Sequence, residues 1–192
     1  MPRPPLAVIS GGSAIPLALR TDDQLMLSAA DGSAAAFEVL VRRHQARVLR
    51  VAARYLGDTS LAGDVAQNAF LELYRVRHRY EPRGQFVAFL FKIALNQCRM
   101  AARAASAGRR TRLELWRADP TAVKPAPYED RRDLQRALNQ LSDKLRAVVI
   151  CRYGADLDLN EIAETLDLPL GTVKRRLFDA MAKLRDLLER EE

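Results

Sequence analysis

Residues 158–188, DLNEIAETLDLPLGTVKRRLFDAMAKLRDLL, constrain this chain more than any other stretch. Asp158 can cap a helix whose third residue, Glu161, reaches back to the capping backbone N–H, a capping box with Asp in the Ser/Thr place. Leu159, Ile162, Ala163 and Leu166 recur at spacings of three and four, so the helix has one apolar face. Asp167-Leu168-Pro169 stops it, because Pro disfavours a helical residue before it. Gly171-Thr172 opens a second helix with a buried stripe of Val173, Leu177, Ala180, Met181, Leu184 and Leu188. Lys174, Arg175 and Arg176 stand in its first turns. Two helices joined by a short turn, the second beginning with a basic cluster, suit a helix that lies in a DNA major groove with its N-terminal residues at base edges. Arginine there either forks onto guanine or neutralises a phosphate, and Phe178 is placed to touch a thymine methyl. The competing reading is an amphipathic hairpin with a solvated basic face.

The charge distribution narrows the choice. The net charge is +7, which suits a polyanionic partner. Thirteen basic residues face eight acidic ones between 20 and 103, whereas residues 131–192 carry twelve of each. Any DNA contact of the C-terminal block must therefore come from the local cluster at 174–176. Cys98 and Cys151 are isolated, without metal-ligand spacing or a neighbouring His, and read as buried thiols in a reducing cytoplasm. Residues 1–19 are apolar but interrupted by Pro5, Gly11, Gly12 and Pro16, so they read as a flexible leader and not as a signal peptide.

From Thr21 the pattern turns helical. A first short helix ends at Asp31-Gly32. A longer one carries Phe37, Leu40, Val41, His44, Val48, Val51, Ala52 and Tyr55, with His44 as a packing residue and Gly57 as left-handed cap. Asp58-Thr59-Ser60 caps a third, whose Val65, Ala66, Ala69, Phe70, Leu73 and Val76 point to the core while Asp64, Gln67, Asn68 and Leu71 fall elsewhere on its surface. After a Pro- and Gly-containing loop at 79–85, Phe86 starts a fourth helix through about Arg103. Residues 104–130 contain Gly108, Pro120, Pro125 and Pro127 without a sustained period and read as a linker. Helices over 129–140 and 142–153 follow, the second capped by Ser142 and ended by Gly154, with Leu134, Leu138, Leu141, Leu145, Val148 and Val149 beneath the helix-turn-helix.

FEVLVRRHQARVLRVAARYLGDTSLAGDVAQNAFLELYRVRHRYEPRGQFVAFLFKIALNQCR resembles the second conserved region of the extracytoplasmic-function (ECF) sigma factors, and LNEIAETLDLPLGTVKRRL resembles their fourth. The resemblance implies an all-α, non-enzymatic subunit of two small helical domains joined by a flexible linker: residues 20–103 and 131–192, with the linker at 104–130. It implies core RNA polymerase, promoter DNA and an anti-sigma factor as partners, no cofactor or metal, and a cytoplasmic location. Carried over by position, Asp64, Gln67 and Asn68 meet the polymerase clamp; Gln85, Phe86, Lys92, Asn96 and Arg99 open and read the minus-ten element. Thr172, Lys174, Arg175, Arg176 and Phe178 meet the minus-thirty-five element. The basic part 109–112 and Trp116 of the linker thread toward the polymerase active-site channel. The chain departs from the family at Gly63 and Asn68, where acidic residues are commoner, at Phe89 for a usual Trp, Met100 for Asp, Arg175 for Ser and Asp179 for a basic residue. Two other readings stand beside it: a sigma-mimicking adaptor that sequesters an anti-sigma factor, and a helix-turn-helix regulator acting without polymerase. No nucleophile–base pair, metal-ligand spacing or phosphate loop suggests an enzyme.

Overall fold

The computed structural model describes residues 15–115 and 129–189, with side chains at 15–106 and 133–189. Among the described residues there are eight α-helices and no strand. In chain order they are α1 (Asp22–Ala30), α2 (Ala34–Leu56), α3 (Thr59–Arg75), α4 (Phe86–Leu115), α5 (Glu129–Gln140), α6 (Asp143–Tyr153), α7 (Leu159–Leu166) and α8 (Leu170–Glu189). Short 3₁₀ turns occupy Leu17–Leu19 and Arg77–Arg79.

Local chemistry sets most boundaries. Thr21 and Gln24 form a capping box at the start of α1, and Asp58 accepts from Ser60 N at the start of α3. Gly57 ends α2 at φ 66, the left-handed conformation that a side chain would strain. The N-terminal core packs α1, α3 and α4 around α2, whose Leu40, Val48, Val51 and Ala52 are all but inaccessible. Phe91, Leu90 and Leu95 of α4 close it from the other side. His44 is buried as expected, but it also pairs: its Nε2 lies 2.8 Å from Asp22 Oδ2, while its Nδ1 has no hydrogen-bond partner. In the C-terminal core α8 packs on α5, α6 and α7. Ala147 to Cys151 are five consecutive buried residues, because α6 is covered on one side by α8 and on the other by α2.

Several expectations are corrected. The fourth helix continues to Leu115, so the first twelve residues assigned to the linker are helical. Gly108 costs a helix about 1 kcal/mol, and the Ala- and Arg-rich sequence around it favours helix enough to outweigh that. The side chains of 109–112, with Trp116 and residues 1–14, lie outside the described residues. The last leader residues form the turn Leu17–Leu19, held by Arg43, which donates to the carbonyls of Ala18 (2.7 Å) and Arg20 (2.9 Å). Ser142 occupies the cap position of α6 without a side-chain cap bond. Gly154 ends α6 with φ −94, so a left-handed turn is not the reason for glycine; a Cβ there would lie 2.6 Å from the Ile150 carbonyl oxygen. Leu134 (45% exposed) and Met181 (40%) point outward instead of joining the C-terminal core.

Candidate nucleic-acid and polymerase interfaces

The helix-turn-helix is assembled from short-range bonds. Asp158 accepts from Asn160 N and Glu161 N, and the Glu161 carboxylate accepts from Asp158 N at 2.8 Å, completing the capping box. α7 ends at Leu166, and Asp167 takes the left-handed conformation at φ 51, which Asp tolerates better than most residues. Thr172 N and Val173 N then bond the Pro169 carbonyl, turning the chain into α8. Val173, Ala180 and Leu184 are buried, which orients the opposite face of α8 to solvent. Lys174, Arg175 and Phe178 stand on that face, Phe178 with 76% of its surface exposed; Thr172 and Arg176 are half-buried at its edge. Asp179 lies one turn from Arg175, with 3.9 Å between Oδ2 and Nε.

On α3, Asp64, Gln67 and Asn68 are all exposed. Beside them runs an apolar groove of about 650 Å³ between α2 and α3, lined among others by Leu49, Phe70, Leu71 and Tyr74, with Gln67 on its rim. Leu71 is 59% exposed and Leu49 45%, so two large aliphatic side chains face water side by side along this groove. The groove was not foreseen from sequence. Its signal is present there: Leu49 and Leu71 both fall off the buried stripes of their helices.

The five residues assigned to the minus-ten element do not share one environment. Gln85, Lys92 and Asn96 are exposed and Arg99 is half-buried, along the solvent side of α4. Phe86 is 2% exposed, packed against His44 and Tyr80, and is a core residue in this structure. The reason is its position on the first turn of α4, against His44 of α2, where Tyr80 donates to Asp23 at the start of α1 and closes the loop above it. Phe89 and Ile93 are half-buried against the same core.

Three members of this face, Gln85, Lys92 and Arg99, meet the second domain. Gln85 Nε2 donates to Glu164 Oε1 at 2.7 Å, Lys92 Nζ to Asp167 Oδ2 at 2.6 Å and Arg99 Nε to Asp143 Oδ2 at 3.1 Å. Burial by itself would raise the Asp143 carboxyl, but the Tyr55 hydroxyl, which donates to it, and the Arg99 guanidinium hold it below the usual carboxylate range. Burial, assisted by that carboxylate, pushes the Tyr55 phenol up to about 12. Further back, Arg47 Nε donates to the Ala155 carbonyl at 2.9 Å and Arg54 to the Tyr153 carbonyl, so two arginines of α2 satisfy acceptors just beyond α6 and at its end.

Two helical modules, one presenting a basic α-helical face and the other a helix-turn-helix with an open recognition helix, define a DNA-binding transcription protein. The Sigma-70 region 2 family matches residues 40–108 and the Sigma-70 region 4 family matches residues 137–186. The chain is 34% identical over 163 residues to the RNA polymerase sigma factor CarQ of Myxococcus xanthus, covering 82% of this chain and 92% of that one. It is 35% identical over 161 residues to the ECF sigma factor SigE of Mycolicibacterium smegmatis, covering 79% of this chain but 61% of that longer protein. Among solved structures, CnrH in complex with the cytosolic domain of CnrY superposes with a TM-score of 0.70 at 28% identity, covering 89% of this chain and 99% of that one. The chain belongs to the extracytoplasmic-function family of RNA polymerase sigma factors. It directs core polymerase to promoters for transcription initiation. Sigma factors as a family are not enzymes, and no helix among the described residues is long and apolar enough to cross a membrane.

Proposed function

We propose that this sigma factor docks on the polymerase clamp through α3 and reads its promoter with two separate faces, α4 for the minus-ten element and α8 for the minus-thirty-five element. The observation that carries the clamp assignment is the exposed apolar groove beside Asp64, Gln67 and Asn68. Large aliphatic side chains left in water beside convergent polar groups mark a protein-binding surface. Gln85, Lys92, Asn96 and Arg99 form the minus-ten face, and Thr172, Lys174, Arg175, Arg176 and Phe178 the minus-thirty-five face. The functional division is residues 20–103 and 131–192, with the α4 extension and the residues after it as the connection. The protein acts in the cytoplasm, without a catalytic centre of its own. CnrH was solved bound to the cytosolic domain of CnrY, solved structures of this fold include sigma factors in complex with anti-sigma factors, and an anti-sigma factor is a partner of this chain too.

The test is reconstitution. Purified protein plus core polymerase should initiate transcription from a specific subset of a genomic promoter pool. Asp64→Ala with Gln67→Ala should weaken core binding in a titration while leaving the thermal transition unchanged. Holoenzyme that forms but initiates at no promoter would reject the promoter-reading assignment, and unchanged core affinity of the double variant would remove α3 from the interface.

A further inference from the structure

The apolar groove between α2 and α3 is partly aromatic. Phe37 and Tyr74 meet edge to face with ring centroids 5.0 Å apart, Phe70 lines the same groove, and Leu49 and Leu71 continue its wall. No charged side chain lines it. One stretch of the chain has matching chemistry. Residues 2–9, PRPPLAVI, place Pro2 and Pro5 in a P-x-x-P pattern followed by four aliphatic residues, and residues 4–19 carry no charge. Proline-rich segments favour an extended, pre-ordered helix, and such helices dock in aromatic-lined grooves. The stretch is also tethered beside the groove. Arg43 of α2 donates to the carbonyls of Ala18 and Arg20, and Arg20 Nε donates to the Ile15 carbonyl at 3.0 Å, so the chain is tied to α2 from residue 15 onward. The groove residues Val41, Gln45 and Ala46 lie within three positions of Arg43 on the same helix. Arg42, Arg43, Ala46, Leu49 and Arg50 are all exposed, which leaves the surface of α2 open between tether and groove. Passing halfway round a helix about 10–12 Å across takes about 17 Å. Residues 10–14, SGGSA, have linker composition and reach about 17 Å when extended.

We propose that residues 2–9 fold back onto the groove between α2 and α3 of their own chain, the prolines against Phe37 and Tyr74 and the aliphatic residues against Leu49 and Leu71, and so compete with core polymerase for that surface. The docking stands on the groove and the leader alone; its consequence for polymerase rests on the assignment of this groove to the clamp. The lengths agree. Phe37 to Leu49 covers about 18 Å of helix, and the six residues from Pro4 to Ile9 cover about 19 Å as a polyproline helix. A tether this short holds the segment at an effective concentration on the order of millimolar. A segment with its own dissociation constant of about 0.1–0.5 mM would then cover the groove in a ratio of about two to ten to one. Apparent affinity scales with the population of the competent state, so a competitor for the groove binds about three- to tenfold more weakly.

The experiment compares the full chain with its Leu6→Ser/Val8→Ser/Ile9→Ser variant, which changes none of the described residues. In methyl-labelled wild type, nuclear Overhauser contacts should join the Leu6, Val8 and Ile9 methyls to those of Leu49 and Leu71, and the Leu49 and Leu71 shifts should move in the variant. In core-polymerase titrations the variant should bind about three- to tenfold tighter than wild type. Leader contacts accompanied by unchanged polymerase affinity would uphold the docking and remove the groove from the clamp interface. Absence of leader contacts, with the same Leu49 and Leu71 shifts in both proteins, would overturn the proposal. So would contacts that arise only between differently labelled copies on mixing, which would make the occupant a second chain. A variant that binds polymerase more weakly than wild type would overturn it too, because the leader would then be a polymerase contact in its own right.

Discussion

Replacing Phe86 by alanine separates a core role from a DNA-contacting one. Phe86 is 2% exposed, with its ring centroid 5.4 Å from that of His44 and 6.0 Å from that of Tyr80, the latter at an interplanar angle of 77°. Truncating a buried Phe costs about 3–5 kcal/mol, to which edge-to-face aromatic contacts contribute about 0.5–1.5 kcal/mol. Phe86 opens α4, where the loop at 81–85 can settle inward, so the expected loss is in the lower half of that range, about 3–4 kcal/mol. In urea denaturation followed by far-UV circular dichroism, with a slope of about 2 kcal/mol/M, the midpoint should fall by about 1.5–2 M. Phe86→Leu keeps most of the volume and should lose less than about 1.5 kcal/mol. A Phe86→Ala protein destabilised by under about 1 kcal/mol, yet impaired in oligonucleotide binding, would refute the placement of this side chain in the core.

Other expectations follow from single contacts. Gly→Ala at an ordinary φ usually gains about 0.4–1 kcal/mol, but Gly154→Ala should destabilise by about 1–3 kcal/mol and lower Tm, because the new Cβ lies 2.6 Å from the Ile150 carbonyl oxygen. Asp22 and Asp143 are both held below their ordinary value of 3.8: burial opposes this in each case, and the His44 and Arg43 contacts outweigh it at Asp22 as Tyr55 and Arg99 do at Asp143. Their folded values lie below the unfolded ones, so the stabilisation is present above about pH 4 and is lost as pH falls through the folded values; in urea titrations between neutral and acid pH, Asp22→Asn/Asp143→Asn should lose less stability than wild type. Lys174→Ala should weaken binding to all duplex sequences alike and flatten the slope of log affinity against log salt by about one unit, read from titrations at several salt concentrations.

Features governed by neighbours in sequence are legible from the order of residues alone. The Asp158–Glu161 capping box, the Gly57 cap and the outward position of Leu71 each depend on bonds or periodicity within a turn or two. Phe86 is not legible in that way. Its burial depends on His44, which lies 42 positions earlier in the numbering, and on how Tyr80 folds the intervening loop. The same holds for Lys92 and Asp167, or Arg47 and the Ala155 carbonyl: charge patterning marks each partner as a surface group, and only the packing of α2 and α4 on α6 and α7 pairs them. The helical course of residues 104–115 escapes a sequence reading for a different reason. Gly108 is a weak breaker, and its neighbours' propensities sum against it.

The extension of α4 to Leu115 also sets how far the region 2 and region 4 modules can part. A wholly extended chain over 104–130 would reach about 90–95 Å, comparable to the ~85 Å of duplex that separates elements named minus ten and minus thirty-five. With residues 104–115 wound into helix, that portion advances about 18 Å, and the thirteen residues from 116 to 128 add at most about 45 Å. The domains themselves must therefore span part of the distance. Tolerance to altered promoter spacing then depends on the length of these thirteen residues, while the helical arm fixes the direction in which the chain leaves the N-terminal helical module.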